Sequence, residues 1–205
     1  MRTAIVTSIV VLCLVACSGC NVLGYAATAV SGDPKYEAKF VPAKKPLVVI
    51  AENFASPALA AMDAEPLTRY ISDELTTHDV APIVGADQVL SMQSENPKRY
   101  HGMTIASVGR TVGAEQILYV NIIDVNAHFA DSSDMIKGHG EVRVRLVDAN
   151  TGSTIWPTDG TDGFPVTTDT GIVRRDERNE TLLRSDVHRA LATRVARLFY
   201  TIKGE

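Results

Sequence analysis

The stretch from Glu141 to Trp156, EVRVRLVDANTGSTIW, decides how this chain folds. Its first part, EVRVRL, alternates strictly between charged and apolar residues. Side chains of a β-strand point alternately to opposite faces, so this pattern predicts a strand with one buried face and one face toward solvent or a partner. Asp148–Gly152, DANTG, then predicts a turn, and Thr154–Trp156 returns as the second strand of a hairpin.

Three further segments predict strands. Gln116–Asn126, QILYVNIIDVN, is rich in β-branched residues and contains a tyrosine, which favours a strand. Pro46–Ala51 is a continuous apolar run, which indicates a strand buried on both faces, as in the middle of a sheet covered by helices. Val80–Val84 predicts a short strand at an edge of the sheet, because Pro82 interrupts it.

Four helices are predicted between and after these strands. Leu67, Ile71 and Leu75 recur at helical spacing and give the first helix a buried stripe. That helix ends near Thr77, and Gly113 ends the third. The last helix runs to about Ile202. Their predicted N-caps, in chain order, are Asp63, Asp87, Thr104 and either Ser185 or Asp186.

The resulting order of elements is β-α-β-α-α-β-β-β-α, with one early crossover and a late antiparallel hairpin. This order predicts an α/β fold with a mixed sheet flanked by helices. Two polar segments, Ala127–Gly140 and Pro157–Gly171, are predicted to be connections without strands.

The first twenty residues, MRTAIVTSIVVLCLVACSGC, predict where the protein resides. Arg2 precedes a run from Thr3 to Ala16 without charge, which is shorter than the about 20 residues that a membrane-spanning helix needs. The run fits the apolar region of a secretory signal. Its ending resembles a bacterial lipoprotein signal, in which a cysteine is lipidated and becomes the mature N-terminus.

Two cysteines, Cys17 and Cys20, are candidates for the lipid, and Cys17 is preferred because Leu14-Val15-Ala16 before it matches the lipoprotein pattern at every position. We therefore expect a signal peptide over residues 1–16, or 1–19 if Cys20 is used. A lipidated tether over 17–45 and a periplasm-facing domain over 46–205 follow. Two or three acyl chains anchor a protein stably in a bilayer. The alternative is an ordinary cleaved signal that leaves a secreted protein.

Composition excludes some classes of protein. The formal net charge of −4 over 205 residues argues against nonspecific nucleic-acid binding, for which a basic face supplies most of the affinity. All three cysteines lie in the first twenty residues, so no disulfide or thiolate metal site is expected in the domain. A hydrophobic content of 45% is enough for a core.

No catalytic motif is present. The five histidines are not spaced as HExxH, and the chain contains no GxSxG, GxGxxG or P-loop pattern. Asp159, Asp162 and Asp169 share a segment rich in Thr, Asp and Gly, but the order of Ca²⁺ ligands in an EF-hand is absent. We therefore predict no catalytic residue, no metal site and no cofactor.

The residues Arg143, Arg145 and Trp156 form a candidate partner surface, because the arginines point outward from the alternating strand and the tryptophan ends the hairpin. A solvated face of mixed charge and a tryptophan packed in the core are the alternatives. A second hypothesis is a small-ligand-binding protein or hydrolase. Its pocket would be lined by His139, Asp159, Asp162 and Arg174.

The hairpin also carries a family resemblance. Val142–Gly152 followed by Thr154–Trp156 resembles the "vrlvDanTGeilW" hairpin of bacterial envelope lipoproteins related to the curli-secretion lipoprotein and the penicillin-binding-protein activator lipoproteins. Ile105–Val120, a helix ending in Gly-Ala and then a strand, resembles their "a..lGAdyvl.G.i" segment. The resemblance covers about Pro46–Tyr200. The tether, with Gly24-Tyr25-Ala26, is similar to that of uncharacterised planctomycete lipoproteins.

This resemblance implies a membrane-anchored, non-enzymatic accessory domain that faces the periplasm and binds an envelope protein. It does not imply a curli pore, since Ala127–Gly140 is too polar and short for membrane-crossing strands. Neither Ser18 nor Asn21, the residues after the two candidate cysteines, is the Asp associated with inner-membrane retention in enterobacteria. We therefore expect the outer membrane rather than the inner one.

Overall fold

A computed structural model describes residues 36–53, 57–129, 134–159, 162–174, 176 and 179–202 of the chain. The chain divides into two units. The smaller unit includes residues 36, 37, 201 and 202, and within it Tyr36 and Ile202 form an antiparallel bridge with N–H···O distances of 3.2 and 3.0 Å. The larger unit, residues 38–200, holds all the helices and strands described below.

Six strands and five helices lie in the described part of the larger unit. In chain order they are β1 (Leu47–Glu52), α1 (Pro57–Thr77), α2 (Ala86–Glu95), α3 (Pro97–His101), α4 (Ile105–Thr111), β2 (Gln116–Phe129), β3 (Met135–Asp148), β4 (Thr154–Trp156), β5 (Phe164–Asp169), β6 (Val173–Arg174) and α5 (Glu180–Ala196). None of the described helices is long and apolar enough to cross a bilayer.

The alternating strand β3 is the centre of the sheet. It pairs with β2 along one edge, and with β4, β5 and β6 in succession along the other. All of these pairings are antiparallel, whereas β1 runs parallel to β2. The α/β class with a mixed sheet is therefore confirmed, as are the hairpin and the strong strand that begins at Gln116.

One face of the sheet is covered by α1 and α5. Val142, Val144 and Leu146 of β3 point to this face and are fully buried. The predicted stripe of α1 is confirmed, since Leu67, Ile71 and Leu75 have no exposed surface. The stripe of α5 is confirmed as well and consists of Val187, Leu191, Val195 and, just beyond the helix, Leu198 and Phe199.

The opposite face is covered in part by α2, α3 and α4. A second cluster of buried residues joins Val48 and Ile50 of β1, Ile117 of β2 and Val147 of β3 to Val108 of α4. This cover reaches only the half of the sheet where the outward residues are apolar.

A β-bulge in β2 exchanges the faces of its second half. The register with β3 shifts between Ile122 and Asp124, and Ile123, which lies at the shift, is 44% exposed. Beyond it Val125 points toward α5 and is buried, while Asp124 points to the opposite face. Without the extra residue the period of two would exchange these positions and bury the Asp124 carboxylate against α5.

Side chains of helix α5 pack directly against two glycines of β3. A Cβ at Gly140 would lie 2.6 Å from side-chain carbons of both Val187 and Leu191, and a Cβ at Gly138 would lie 2.6 Å from Val187. These positions need glycine for space rather than for a special backbone angle.

The predicted list of strands and connections is wrong in three places. Val80–Val84 is not a strand: Ile83 makes a single parallel bridge to Leu47. Conversely, the predicted connection Pro157–Gly171 contains β5, whose residues FPVTTD pair with β3. The predicted connection Ala127–Gly140 is mostly strand, because β2 and β3 extend through its two ends. These segments are polar on one face and apolar on the other, a pattern that their composition conceals.

The predicted position of β1 also needs correction. Both of its faces are buried, as its apolar sequence indicates, but it lies at one end of the sheet rather than in the middle. It is buried there because α1 packs on one face and the second apolar cluster on the other.

Among the helix caps, Thr104 is confirmed and three others are wrong. Thr104 Oγ1 accepts a hydrogen bond from Ser107 N at 3.2 Å. Gly85, not Asp87, is the N-cap of α2. Asn179 caps α5 through Leu182 N at 2.9 Å, so the helix begins before Ser185 and Asp186.

Asp63 is not a cap, because α1 begins at Pro57. Its buried carboxylate instead joins α1 to α5, where Arg184 Nε donates to it at 2.7 Å and His188 Nε2 lies 2.8 Å away. Arg184 also donates to the Val125 carbonyl of β2 at 2.7 Å. This cluster connects both helices of the covered face to the sheet beneath them.

The same contacts determine how the Asp63 carboxyl titrates. Burial raises its pKa, but the hydrogen bonds from His188 and Arg184 and the positive charge of Arg184 outweigh burial, so the net pKa lies below the ordinary value of 3.8. A carboxyl with a lowered pKa in the folded state stabilises the fold above its unfolded pKa, and that contribution is lost as the pH falls through the folded pKa.

We therefore expect Asp63→Asn to lower the free energy of unfolding at pH 7 by about 1–3 kcal/mol, because it leaves the Arg184 guanidinium without its anionic partner. The wild-type free energy should fall as the pH drops below 4, and that of Asp63→Asn should fall less steeply. Urea unfolding from pH 2 to pH 7 measures both. Asp73→Asn, an exposed position on α1, is the control and should stay within about 0.5 kcal/mol. If the free energy of unfolding fell equally steeply below pH 4 in Asp63→Asn and in wild type, this role of Asp63 would be contradicted.

Gly140→Ala should lower the free energy of unfolding by about 1–3 kcal/mol, because the methyl group enters space that Val187 and Leu191 fill. The matched control is Gly171→Ala, where a Cβ meets no atom within 4 Å. Its unfolding midpoint in urea should remain near that of wild type. Equal midpoints for the two variants would show that α5 does not approach β3 this closely.

Candidate functional site

The candidate site is the part of the sheet that α2, α3 and α4 leave uncovered, on the side opposite α5. Residues directly opposite each other in paired strands share a face, so the registers define its members. We call this surface the open face. It consists of Asn121, Asp124, Asn126, Lys137, His139, Glu141, Arg143, Arg145, Pro165, Thr167 and Asp169, with Glu52 at the corner where it meets the buried Tyr119.

Charged and polar side chains lie on the open face in rows across β2, β3 and β5. One row is Asn121, Arg143 and Pro165, and the next is Asp124, Glu141 and Thr167. The third row is Asn126, His139 and Asp169. The bulge in β2 puts Asp124 and Asn126 into these rows.

The middle row brings two carboxylates together. Asp124 lies directly opposite Glu141, an arrangement of like charges that destabilises a sheet. Asn126 Nδ2 donates to Asp124, which relieves part of the repulsion. Within the described residues, the side chains of Glu141 and Arg143 make no hydrogen bond or ion pair. This half-buried pair of opposite charges is therefore available to groups from another molecule.

The end row is an internal ion cluster. His139 Nδ1 lies 3.0 Å from Asp169 Oδ1, and Lys137 Nζ lies 3.1 Å from the same oxygen. The hydrogen bond with His139, followed by that with Lys137, holds the pKa of Asp169 below its ordinary value. All three groups are partly or largely exposed, so this cluster contributes little to stability.

The corner of the open face lies at the carboxyl end of β1. Glu52 accepts hydrogen bonds from the Tyr119 hydroxyl at 2.9 Å and the Tyr100 hydroxyl at 3.5 Å. Burial, and then the negative charge of Glu52, raises the pKa of both tyrosines, so both hydroxyls remain protonated donors. The Arg145 guanidinium lies over the Tyr119 ring, 5.1 Å from its centroid. Both carboxylate oxygens of Glu52 are thus already engaged.

The outer edge of the sheet at β5 is closed to a further strand. Thr170 N donates to Gly138 O at 2.9 Å, which fixes the register so that backbone groups of Pro165 and Thr167 point away from β3. Pro165 has no N–H to offer there. Arg194 of α5 donates to the Thr167 carbonyl at 2.9 Å. Proline and a covering side chain are common means of preventing edge pairing.

The edge at β1 is closed in a similar way. Leu47 N donates to Pro82 O at 2.9 Å, and Val84 N donates to Leu47 O at 2.8 Å. The hydroxyl of Thr68 on α1 accepts from Ala51 N at 3.3 Å. These contacts occupy outward backbone groups of β1, and the open face remains accessible beside them.

The structure separates the three residues of the predicted partner surface. Arg143 and Arg145 lie on the open face, whereas Trp156 lies opposite Leu146 and points to the face covered by α5. Its ring packs 5.1 Å from Phe164 and 5.5 Å from Phe199, measured between centroids. The role of the two arginines stays a prediction. Cys17 and Cys20 lie outside the described residues, so the choice between them also stays a prediction.

Three residues of the alternative pocket, His139, Asp162 and Arg174, lie on or beside different positions along β3, and the fourth, Asp159, is exposed in the loop before β5. Asp162 precedes Phe164, which pairs with Val144, whereas Arg174 pairs with Met135. At about 3.3 Å per residue these two positions on β3 lie about 30 Å apart. His139 contacts Asp169, and Arg174 contacts Asp176 at 3.2 Å. The residues therefore do not line one pocket.

Neither the Glu52 corner nor the Asp63 cluster is evident from the sequence. Only Glu52 has a sequence feature that could have pointed to its role: it is the first charged residue after a buried strand. Among the described residues, no group of three or more His, Cys, Asp or Glu side chains is placed to hold a metal ion.

Comparison with known proteins gives similarity at the level of the fold. No family model matches the chain, and no curated protein matches it significantly in sequence. Among solved structures, lipoprotein GNA1162 from Neisseria meningitidis is 15% identical, with a TM-score of 0.44, and the match covers 69% of this chain and 90% of that one. The PelC L103M dodecamer from Paraburkholderia phytofirmans is 13% identical, with a TM-score of 0.44 and coverage of 82% and 98%.

The C-terminal domain of LpoB from Salmonella enterica is 17% identical, with a TM-score of 0.36 and coverage of 65% and 87%. Several of the similar structures are bacterial lipoproteins, the class that the hairpin resembles. The likeness is one of fold alone and assigns no activity to this chain.

Proposed function

We propose that this protein is a lipid-anchored accessory protein of the bacterial envelope whose α/β domain binds a protein partner through the open face. One observation carries the proposal. Helices α1 and α5 cover one face of the sheet completely, whereas no described element covers the polar half of the other.

The charges of the open face indicate how such a partner is recognised. Cations and anions alternate over a short distance, with Arg143 beside Glu141 and Asp124, and this pattern favours a partner with complementary charges. Charge complementarity of this kind contributes more to specificity and association rate than to affinity, so binding should weaken with added salt.

The closed edges at β1 and β5 favour docking on the open face over the addition of a strand there. A partner that added a strand beside β1 or β5 would need free backbone groups there. Pro165 and Arg194 close the edge at β5, and the Pro82–Val84 segment with Thr68 closes the edge at β1. We therefore place the partner against the side chains of the open face rather than beside β1 or β5.

The proposal assigns no catalytic role. The carboxylates nearest to the core, Glu52 and Asp63, are each engaged by at least two donors from within the fold. The alternative, an envelope protein that binds a small ligand or hydrolyses it, lacks a converging set among His139, Asp159, Asp162 and Arg174.

The anchor of the proposed lipoprotein is Cys17. Cys17→Ser should abolish incorporation of labelled palmitate in the bacterial host, whereas Cys20→Ser should retain it, because only the residues before Cys17 match the lipoprotein pattern throughout. Mass spectrometry of the mature N-terminus gives an independent readout. Labelling that survives Cys17→Ser and disappears in Cys20→Ser would assign the lipid to the other cysteine, and no labelling in wild type would refute the anchor.

Protein binding through the open face is tested by photo-crosslinking in living cells. A photoreactive amino acid at Thr167, exposed on the open face, should give a discrete protein adduct, and the same amino acid at Asp73, exposed on α1, should not. Arg143→Gln should reduce the adduct at position 167 about tenfold, since a rim charge is lost without a change in the core.

The thermal unfolding of Arg143→Gln should match that of wild type, which separates loss of binding from loss of fold. Adducts of equal yield at positions 73 and 167, or an adduct at 167 that is insensitive to Arg143→Gln, would refute the open face as the docking surface.

A further inference from the structure

A cleft of about 450 Å³ lies between α4 and the β3–β4 hairpin, next to the open face. Arg110 of α4 and Arg145 of β3 line it. Thr104 and Thr154 add two hydroxyl groups, whereas the hydroxyl of Thr151, which also lines the cleft, donates to Asp148 Oδ1 at 3.2 Å. Its volume falls within the range of small-ligand sites, about 300–1,000 Å³.

The charge of this cleft is opposite to that of the chain. The full sequence has 24 acidic and 20 basic residues, yet no Asp or Glu lines the cleft. The nearest acidic residue in sequence is Asp148, whose Oδ1 accepts hydrogen bonds from Asn150 N and Thr151 N inside the hairpin turn, both at 2.8 Å. The two arginines therefore have no carboxylate of this chain among the residues that line the cleft.

Both arginines are held in place by neutral groups. Arg110 Nη1 donates to the Ala149 carbonyl at 2.6 Å, which leaves its other N–H groups available. Arg145 is held over the Tyr119 ring, and its aliphatic part lies against Gly163, where a Cβ would be 2.9 Å away. Side chains fixed before binding lose less entropy when a ligand arrives.

We infer that this cleft is an oxyanion-binding site, in which Arg110 and Arg145 bind a carboxylate or phosphate group and threonine hydroxyls complete its hydrogen bonds. A guanidinium is suited to this role because its planar set of donors matches two oxygens of such a group. The inference does not depend on the protein partner of the open face, because a free ligand with the same group satisfies it.

Isothermal titration calorimetry of the detergent-solubilised full chain tests the site. The probes are sodium phosphate, succinate and a tri-glutamate peptide, at constant ionic strength. At least one should bind with one-site saturation and a dissociation constant of about 1 mM or lower. Saturation by phosphate alone supports a phosphate-bearing ligand, by succinate a small carboxylate, and by the peptide alone a carboxylate carried on a polypeptide.

Thr154→Asp and Thr154→Asn form a matched pair that differs by one charge at an exposed position lining the cleft. Both variants lose the threonine hydroxyl, so the comparison is between them: Thr154→Asp should bind about tenfold or more weakly than Thr154→Asn, because it adds a negative charge. Arg145→Gln should abolish saturation, while Arg143→Gln, two residues away on the same strand and outside the cleft, should not.

Two results would overturn the site. One is the absence of saturable binding by all three probes. The other is equal weakening by Thr154→Asp and Thr154→Asn, or by Arg145→Gln and Arg143→Gln, which would show general charge attraction. Binding that persists while crosslinking at Thr167 fails would refute the proposed docking surface and leave the oxyanion site in place.

Discussion

The period of two in β3 is the constraint on which the rest of the structure depends. Four other strands pair directly with β3, and β1 joins through β2. Burial alternates without a break along β3 from Met135 to Leu146. One face of the sheet therefore packs into the core, and the charged residues lie on the other face, toward water. The single bulge in β2 keeps the neighbouring strand consistent with this division, since it returns Val125 to the core and Asp124 to the open face.

The two layers of helices follow from the same division. Helix α5 packs where β3 presents valine, leucine and glycine, and Gly138 and Gly140 allow its side chains to reach the sheet. Helices α2 to α4 pack where Ile117 and Val147 make the other face locally apolar. Their cover ends where the outward residues become Asn121 and Arg143. The open face is thus exposed because its side chains are polar, which any partner must match with polar groups of its own.

Local patterns predicted the parts of the fold that depend on near neighbours in sequence. The hairpin, the strand from Gln116, the stripes of α1 and α5 and the cap at Thr104 all rest on residues within a few positions of each other. Asp63 was mistaken for a cap because its partners Arg184 and His188 lie 121 and 125 residues away. Strand β5 was missed because FPVTTD owes its pairing to β3 rather than to its own propensity.

The acidic residues of the domain show why composition alone could not identify a site. Asp63, Asp148 and Glu52 are conventional candidates for acid–base chemistry, yet each is engaged by donors that the fold supplies. Glu141 looks like an ordinary surface charge in the sequence and Arg143 is an outward-facing candidate there, and the fold leaves both half-buried and without a partner among the described residues. A charged group that is already partly desolvated and unpaired gains more free energy from an opposite charge than a fully solvated group does, because less water must be displaced. For this reason the unsatisfied charges of the sheet, rather than its satisfied ones, are the basis on which we propose the open face as the docking surface.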